Sequence, residues 1–282
     1  MDRNSKIEAK GRTGGGTVLV GGDWQGSGDV RQATQVTMEQ GASIDASATD
    51  KGDGGKVVLW SDVSNPNSVT RANGSIKAEA GPNGGNGGQV ETSGHVLNVD
   101  NIQVSTNATQ GEAGTWLLDP SDITISSGSD ASIGYAVASS IGTYTPPASA
   151  ASSVVNVTTL QNNLGLNNVN ITTTNATTAG AGTGNITVSS DITWSSVNVL
   201  KLIATGGISG TGNIKAASYM IGSEFVYANG VKGDGSFDDR TSRFGRIGMV
   251  RDTKPLALLI EAGFVSNIDD MKVSPQRRSI RI

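Results

Sequence analysis

The chain has 282 residues, of which 39 are Gly, 16% are charged and only 4% are aromatic. Average usage gives roughly 20 Gly for this length. The excess of Gly does not indicate a collagen, because there are only 7 Pro and no Gly-x-y period. A net charge of −4 argues against nucleic acid or an anionic membrane as the main partner, and the lack of Cys excludes disulfides and thiolate metal sites. The composition favours a fold that buries thin layers of small β-branched side chains.

The sequence gives no sign of membrane insertion or export. It contains no run of about 18 apolar residues, so we predict no membrane-spanning helix. The segment from Met1 to Ile7 lacks the apolar stretch of a signal peptide. We therefore expect that any export signal lies outside this sequence.

Residues 1 to about 217 repeat a short unit. An alternating polar and apolar segment leads through a Gly-rich turn to a second short apolar segment, and three such pairs are 5–9 with 15–18, 43–46 with 54–59, and 75–78 with 87–90. A looser fourth copy spans 102–118. The unequal spacing of the copies is typical of solenoid proteins, in which extra residues loop out between stacked strands.

The second half of this region continues the pattern with fewer charges. Residues 155–157, 169–171, 186–188 and 197–199 alternate with a period of two, and no helical period is found before Ala217. We therefore predict an all-β protein, a parallel β-helix (β-solenoid) in which residues 5 to about 217 stack as coils, with a β-sandwich of hairpins as the alternative. The residues predicted to point into the core are Ile44, Val58, Ile76, Val90, Ile102, Ile123, Ile171, Ile186 and Val188.

The composition changes near Ala217, since all four Phe follow it. We divide the chain into a β-helix segment, residues 1–217, and a short, differently folded C-terminal tail, residues 218–282. The large apolar side chains of the tail find no partners in a narrow core of small residues, so we expect that the tail does not continue the solenoid. It should instead form a small satellite cluster, cap the last coil or stay poorly ordered. These side chains are Phe225, Phe244, Ile260 and Phe264.

Several stretches resemble the large exoproteins of the filamentous-haemagglutinin type. They are GGGTVLVGGDW at 14–24, GGQVETSGH at 87–95, WLLDPSDITI at 116–125 and the segment 159–172. The likeness is to the high-molecular-weight adhesins that Gram-negative bacteria export by two-partner secretion. It covers residues 1 to about 217, and the motifs occur in the order found in the family.

This resemblance implies a right-handed parallel β-helix that is secreted or held at the cell surface in association with the outer membrane. It implies a structural and adhesive function, in which a stiff rod displays side chains along flat faces. The partners implied for the parent protein are a receptor or glycan on a host or neighbouring cell and an outer-membrane two-partner transporter. The secretion domain of the family has no counterpart in the sequence, so the chain resembles an internal segment of such a protein.

The tail contains RIGMVRDT at 246–253, followed through Pro255 by ALLIEAGFVSN at 257–267. These residues resemble the last part of a different family, the zinc-dependent N-acetylmuramoyl-L-alanine amidases, which cleave peptidoglycan. The likeness covers residues 224–273, and Glu261 matches the catalytic Glu of the family. The resemblance implies a zinc site with two His and a Glu, whereas this chain has a single His, His95. We therefore expect no metal, no cofactor and no enzyme activity, with Glu261 inactive; an amidase fragment that hydrolyses peptidoglycan is the alternative function.

Three further candidate sites have simpler interpretations. His95 lies in a Gly-flanked strand without a nucleophile motif, which predicts a solvent-facing or turn residue. Residues 50–55 faintly resemble a calcium loop, but the other turns lack the acids of that pattern, so a corner turn is favoured. A solenoid carbohydrate lyase needs acids together with Lys or Arg, and residues 78–200 contain neither Lys nor Arg.

Two residue types leave a binding role open. The isolated Trp residues favour packing at ends or corners over a sugar-stacking platform, and they are Trp24, Trp60, Trp116 and Trp194. The resemblance to the adhesins implies glycosylation at Asn-x-Ser/Thr triplets, with chance occurrence in an Asn-rich chain as the alternative. These triplets begin at Asn73, Asn107, Asn156, Asn170, Asn175 and Asn185.

Overall fold

The computed structural model describes residues 1–128, 134–138, 141–145, 152–173, 182–216, 224–227 and 260–261. The first twelve strands are β1 (Lys6–Glu8), β2 (Thr17–Val20), β3 (Gln35–Met38), β4 (Ser43–Asp45), β5 (Lys56–Trp60), β6 (Val69–Ala72), β7 (Ser75–Lys77), β8 (Gln89–Ser93), β9 (Val96–Asn98), β10 (Gln103–Ser105), β11 (Thr115–Asp119) and β12 (Asp122–Ser126). The remaining strands are β13 (Gly134–Ala138), β14 (Ile141–Thr145), β15 (Ser152–Asn156), β16 (Asn168–Thr173), β17 (Ile186–Val188), β18 (Ile192–Trp194), β19 (Leu200–Ala204), β20 (Ile208–Gly210), β21 (Ile214–Ala216), β22 (Glu224–Tyr227) and β23 (Ile260–Glu261). A 3₁₀ helix spans Trp24–Gly26, and α1 spans Val157–Leu164.

Three long sheets receive successive strands in rotation. The first sheet has the order β1-β4-β7-β10, the second β2-β5-β8-β11-β16-β19-β22-β23, and the third β3-β6-β9-β15-β12-β17-β20. All neighbours in these sheets pair in parallel except β22 and β23. The described chain is therefore mostly β with parallel sheets, as predicted, and the rotation is consistent with a parallel β-solenoid.

Equivalent residues of successive repeats lie side by side. Ile7, Ile44, Ile76 and Val104 are in register across the first sheet, and Val18, Val57, Val90 and Trp116 across the second. One continuous core of buried apolar side chains extends through the repeats. The predicted core positions in it are Ile44, Ile76, Val90, Ile102, Ile123, Ile171, Ile186 and Val188.

Val58 is buried on the opposite face of the second sheet, so its predicted core position is wrong. Strand β5 alternates as expected, with Val57 and Leu59 in the main core. Val58 and Trp60 instead belong to a second apolar cluster, against which Trp24 packs. Because the chain around the 3₁₀ helix covers this outer face, β5 is buried on both sides.

Helix α1 corrects the prediction that no helix precedes Ala217. Asn156 is its N-cap, and the side chain of Asn156 accepts hydrogen bonds from the backbone N–H groups of Thr158 and Thr159. Apolar residues at positions i, i+3 and i+7 are buried on one face, namely Val157, Leu160 and Leu164. The helix has only eight residues, two of them Thr. In so short a segment the apolar pattern of a helix cannot be distinguished from that of a strand.

Two further departures concern the stacking. Strand β15 is inserted between β9 and β12, so the third sheet does not follow chain order at that point. Strands β13 and β14 form an antiparallel hairpin in the excursion between β12 and β15. The hairpin forms a separate two-stranded sheet, and the strands of the three long sheets before residue 217 pair in parallel as predicted.

Parallel pairing continues past the predicted boundary at residue 217. Strand β22 pairs in parallel with β19, with Phe225 opposite Leu202, and Ile260 of β23 then pairs antiparallel with Phe225. Residues 224–227 thus add one strand to the second sheet beyond the predicted boundary. Phe244 and Phe264 lie outside the described residues, as does the environment of the tail side chains.

Candidate interaction surface

Gly residues close four stacked loops between the first and second sheets, and in three of the loops this Gly is the second of a Gly-Gly pair. We call residues 10–15, 47–54, 79–87 and 107–113 the stacked loops. Each is closed at its base by a backbone N–H donating to a carbonyl of the same repeat. These bonds are Gly16 N to Ala9 O (2.7 Å), Gly55 N to Ala46 O (2.8 Å), Gly88 N to Ala78 O (2.8 Å) and Gly114 N to Thr106 O (2.8 Å).

Glycine is required at these bases because backbone meets backbone between repeats. A Cβ on Gly55 would overlap the carbonyl oxygen of Gly16, and a Cβ on Gly88 would overlap that of Gly55. Gly114 stands in the same relation to Gly88. The repeated Gly thus permits close stacking, which lets the loops project together at one corner.

Side chains connect one stacked loop to the next. Asp50 accepts hydrogen bonds from Asn83 Nδ2 at 2.8 Å and from Arg12 Nη2 at 2.9 Å. These two donors hold the pKa of the Asp50 carboxyl below its usual value. Farther along, Asp53 Oδ1 accepts from Asn86 N at 2.7 Å, and Asn86 Oδ1 accepts from the next repeat.

These contacts fit the corner-turn interpretation of residues 50–55. Both oxygens of the Asp50 carboxylate are already used by protein donors. Within the described residues no group of three or more His, Cys, Asp or Glu is placed to hold a metal ion. The arrangement orders polar side chains at the surface.

The stacked loops present charges of both signs to solvent. The side chain of Arg12 is 82% exposed even in its ion pair with Asp50. Lys51, Asn107 and Glu112 are also exposed. Such a regular array of exposed polar groups on a fixed backbone suits contact with a large partner better than chemistry on a small molecule.

A second notable site lies under the 3₁₀ helix, on the outer face of the second sheet. Glu91 is fully buried there, in register with Val58 on one side and Leu117 on the other. Its Oε2 accepts from Gln25 N at 2.9 Å, and its Oε1 accepts from Ser93 Oγ at 2.8 Å. Burial raises the pKa of Glu91 from 4.5 to about 7 despite these two bonds.

Glu91 is not among the sites predicted from the sequence. The available signal was an acid at a register position that other repeats fill with Val58 and Leu117. The cover over it comes from the 3₁₀ helix, whose Gln25 lies 66 residues earlier in the chain. No local pattern around residue 91 reveals that contact.

His95 was predicted to be a solvent-facing or turn residue, and it lies in the turn between β8 and β9. It is only 2% exposed, however, so the solvent-facing alternative is wrong. Its Nδ1 lies 3.1 Å from the carbonyl oxygen of Val63. Glu261 is in β23, where its backbone pairs with Glu224.

All four Trp residues pack against apolar neighbours, in agreement with the packing interpretation. Trp116 and Trp194 lie in the main core, where their indole N–H groups donate to Thr92 Oγ1 and Asn198 O. Trp60 belongs to the second apolar cluster, and Trp24 packs against it.

The Asn-x-Ser/Thr triplets differ in accessibility. Asn73 is buried, and its Nδ2 donates to Asn98 Oδ1 and Asp100 O. Asn107 and Asn185 are exposed, whereas Asn170 is half-buried. Asn156 is occupied as the N-cap of α1, and Asn175 lies outside the described residues.

Comparison with protein-family models and with curated proteins gives no match for this sequence. The resemblances to haemagglutinin-type exoproteins and to amidases therefore stay predictions. Among the described residues, no helix is both long and apolar enough to cross a membrane.

Proposed function

We propose that this chain is a structural and adhesive segment of a bacterial surface or secreted exoprotein, built as a right-handed parallel β-helix. The parent protein is exported by an outer-membrane two-partner transporter. It binds a receptor or glycan on a host or neighbouring cell through side chains spread along its surface.

The stacked loops are the observation that carries this proposal. Four loops share the same backbone closure and are cross-connected by side chains such as Asp50, Asn83 and Asn86. Ordering these groups before binding lowers the entropy cost of a wide, shallow contact. The mixture of Arg12, Lys51 and acidic groups supplies both donors and acceptors for a polar partner.

Binding of the fluorescently labelled chain to cultured epithelial monolayers and to bacterial cells tests the proposal. We expect saturable binding to at least one of them. The double variant Arg12→Ser, Lys51→Ser removes two positive charges from the stacked loops and should weaken that binding about tenfold, equivalent to about 1.4 kcal/mol. Surface ion pairs contribute little to stability, so the variant should remain folded.

The matched control removes two positive charges from another surface. Lys6→Ser, Lys77→Ser alters exposed residues of the first sheet and should leave binding unchanged. Absence of saturable binding to either cell type, or equal loss in both double variants, would count against adhesion through the stacked loops. Surface location is tested separately, by protease treatment of intact cells that produce the parent protein.

A further inference from the structure

Residues 21–34 cover the outer face of the second sheet at β5 and β8. We call them the latch segment. Asp23 forms an ion pair with Lys56 at 2.8 Å, and Trp24 packs on the second apolar cluster. Gln32 Oε1 accepts from the indole N–H of Trp60 at 3.0 Å. The segment is thus held by a few specific contacts at the surface of the fold.

Within the latch segment, the backbone of Gln25 lies in the left-handed region with φ 51° and ψ 36°. A non-glycine residue adopts this conformation at a cost, so surrounding contacts must hold it there. The backbone N–H of Gln25 donates to Glu91 Oε2 at 2.9 Å. Gln25, with its unfavourable backbone conformation, therefore contacts the fully buried Glu91 directly.

The charges around Glu91 oppose its ionisation. Asp23 on the latch segment and Asp119 on β11 both disfavour a negative charge at Glu91, as does burial itself. The nearest cation on β5, Lys56, is engaged by Asp23. The two donors that contact the Glu91 carboxyl, Gln25 N–H and the Ser93 hydroxyl, are both neutral groups.

We propose that the latch segment is a pH-dependent cover, which stays docked while Glu91 is protonated and opens when Glu91 gives its proton to solvent. Opening admits water to the Glu91 carboxylate and allows Gln25 to leave its left-handed backbone conformation. It also uncovers Val58 and Trp60, which the docked segment keeps buried. This proposal is independent of the adhesive function.

Hydrogen–deuterium exchange of peptides from the latch segment, corrected for intrinsic exchange rates, measures its opening. We expect opening to become at least tenfold more frequent between pH 5 and pH 8 in the unaltered chain. Glu91→Gln keeps the shape and removes the charge, so its opening should change less than twofold. Glu112→Gln, an exposed acid in the stacked loops, is the matched control and should keep the dependence of the unaltered chain.

A second measurement does not depend on a variant that folds. The ¹³C shift of the Glu91 carboxyl and the opening of the latch segment should show the same pH midpoint in the unaltered chain. Opening that is constant between pH 5 and pH 8 would overturn the proposal, as would an equal pH dependence in Glu91→Gln or two separate midpoints.

Discussion

The side-chain amide of Asn163 pairs with the backbone around Val104 as a neighbouring β-strand would. Asn163 Oδ1 accepts from Val104 N at 2.7 Å, and its Nδ2 donates to Ile102 O at 3.1 Å. Asn167 repeats the arrangement at 2.6 Å from Thr106 N and 2.9 Å from Val104 O. Two amides at i and i+4 thus complete the edge of β10, and α1 can follow a strand without leaving buried backbone groups unpaired.

Helix α1 also forms hydrogen bonds on its other side, with β18 and the residues that follow it. Gln161 Oε1 accepts from Thr193 N at 2.7 Å, and Leu164 O accepts from the side chains of Ser196 and Asn198. Helix α1 therefore takes the place of one strand between β10 and β18. Polar side chains convert helical spacing into strand hydrogen bonding on both sides.

Replacing Asn163 by Leu tests whether its side-chain amide supports the edge of β10. The change keeps the side-chain volume but leaves Val104 N–H and Ile102 C=O buried without partners, so we expect a loss of about 2–4 kcal/mol in the free energy of unfolding. Urea denaturation followed by circular dichroism measures it. Asn162→Leu, at the exposed neighbouring position, should change stability by less than about 0.5 kcal/mol. Equal effects of the two variants would show that the Asn163 amide does not support β10.

Gly88→Ala tests the close stacking of the loop bases. The new Cβ would overlap Gly55 O, which belongs to the backbone of the preceding repeat and cannot rotate away. We expect a loss of about 3 kcal/mol in the free energy of unfolding, measured by urea denaturation. At Gly128, where the nearest atom to an added Cβ is Ser126 Oγ at 3.5 Å, the same substitution should be nearly neutral. A tolerated Gly88→Ala would mean that the repeats can separate at this corner.

The features that could be predicted from the sequence depend on local pattern. Alternation places Ile44 and Ile76 in the core because neighbouring repeats present the same pattern to each other. Val58 alternates equally well, yet its environment depends on the latch segment, about thirty residues earlier in the chain. Glu91 and Asn163 escaped notice for the same reason, since each gains its role from a contact 59 or more residues away.

The pH dependence of stability follows from Glu91. Its pKa in the folded protein is raised from 4.5 to about 7, so folding disfavours the ionised form. The free energy of unfolding should therefore fall as the pH rises from about 4.5 to 7 and level off above that, by at most about 3 kcal/mol. Opening of the latch segment would make this loss of stability smaller, because it returns the Glu91 carboxylate to water.

Urea denaturation of Glu91→Gln at pH 5 and pH 8 checks this prediction. The variant should be more stable than the unaltered chain at pH 8 and nearly equal to it at pH 5. Asp50 gives a contrast of opposite sign, since its pKa is lowered by Asn83 and Arg12 and its contribution is lost as the pH falls. A Glu91→Gln variant that is less stable at pH 8 would indicate that the carboxylate is ionised and stabilising there.

The tail is expected not to catalyse peptidoglycan hydrolysis. Peptidoglycan hydrolysis of the amidase type needs zinc to activate water and polarise the scissile carbonyl, and zinc sites use several His or carboxylate ligands together. The only His of the chain, His95, is buried with its Nδ1 against Val63 O. We therefore expect less than 0.1 equivalent, roughly background, of zinc by mass spectrometry after incubation and dialysis, together with no clearing of peptidoglycan. Glu261→Ala should match the unaltered chain in both assays, because a carboxylate without a metal-activated water gives no hydrolysis. One zinc per chain, with cleavage that Glu261→Ala abolishes, would instead establish the amidase alternative.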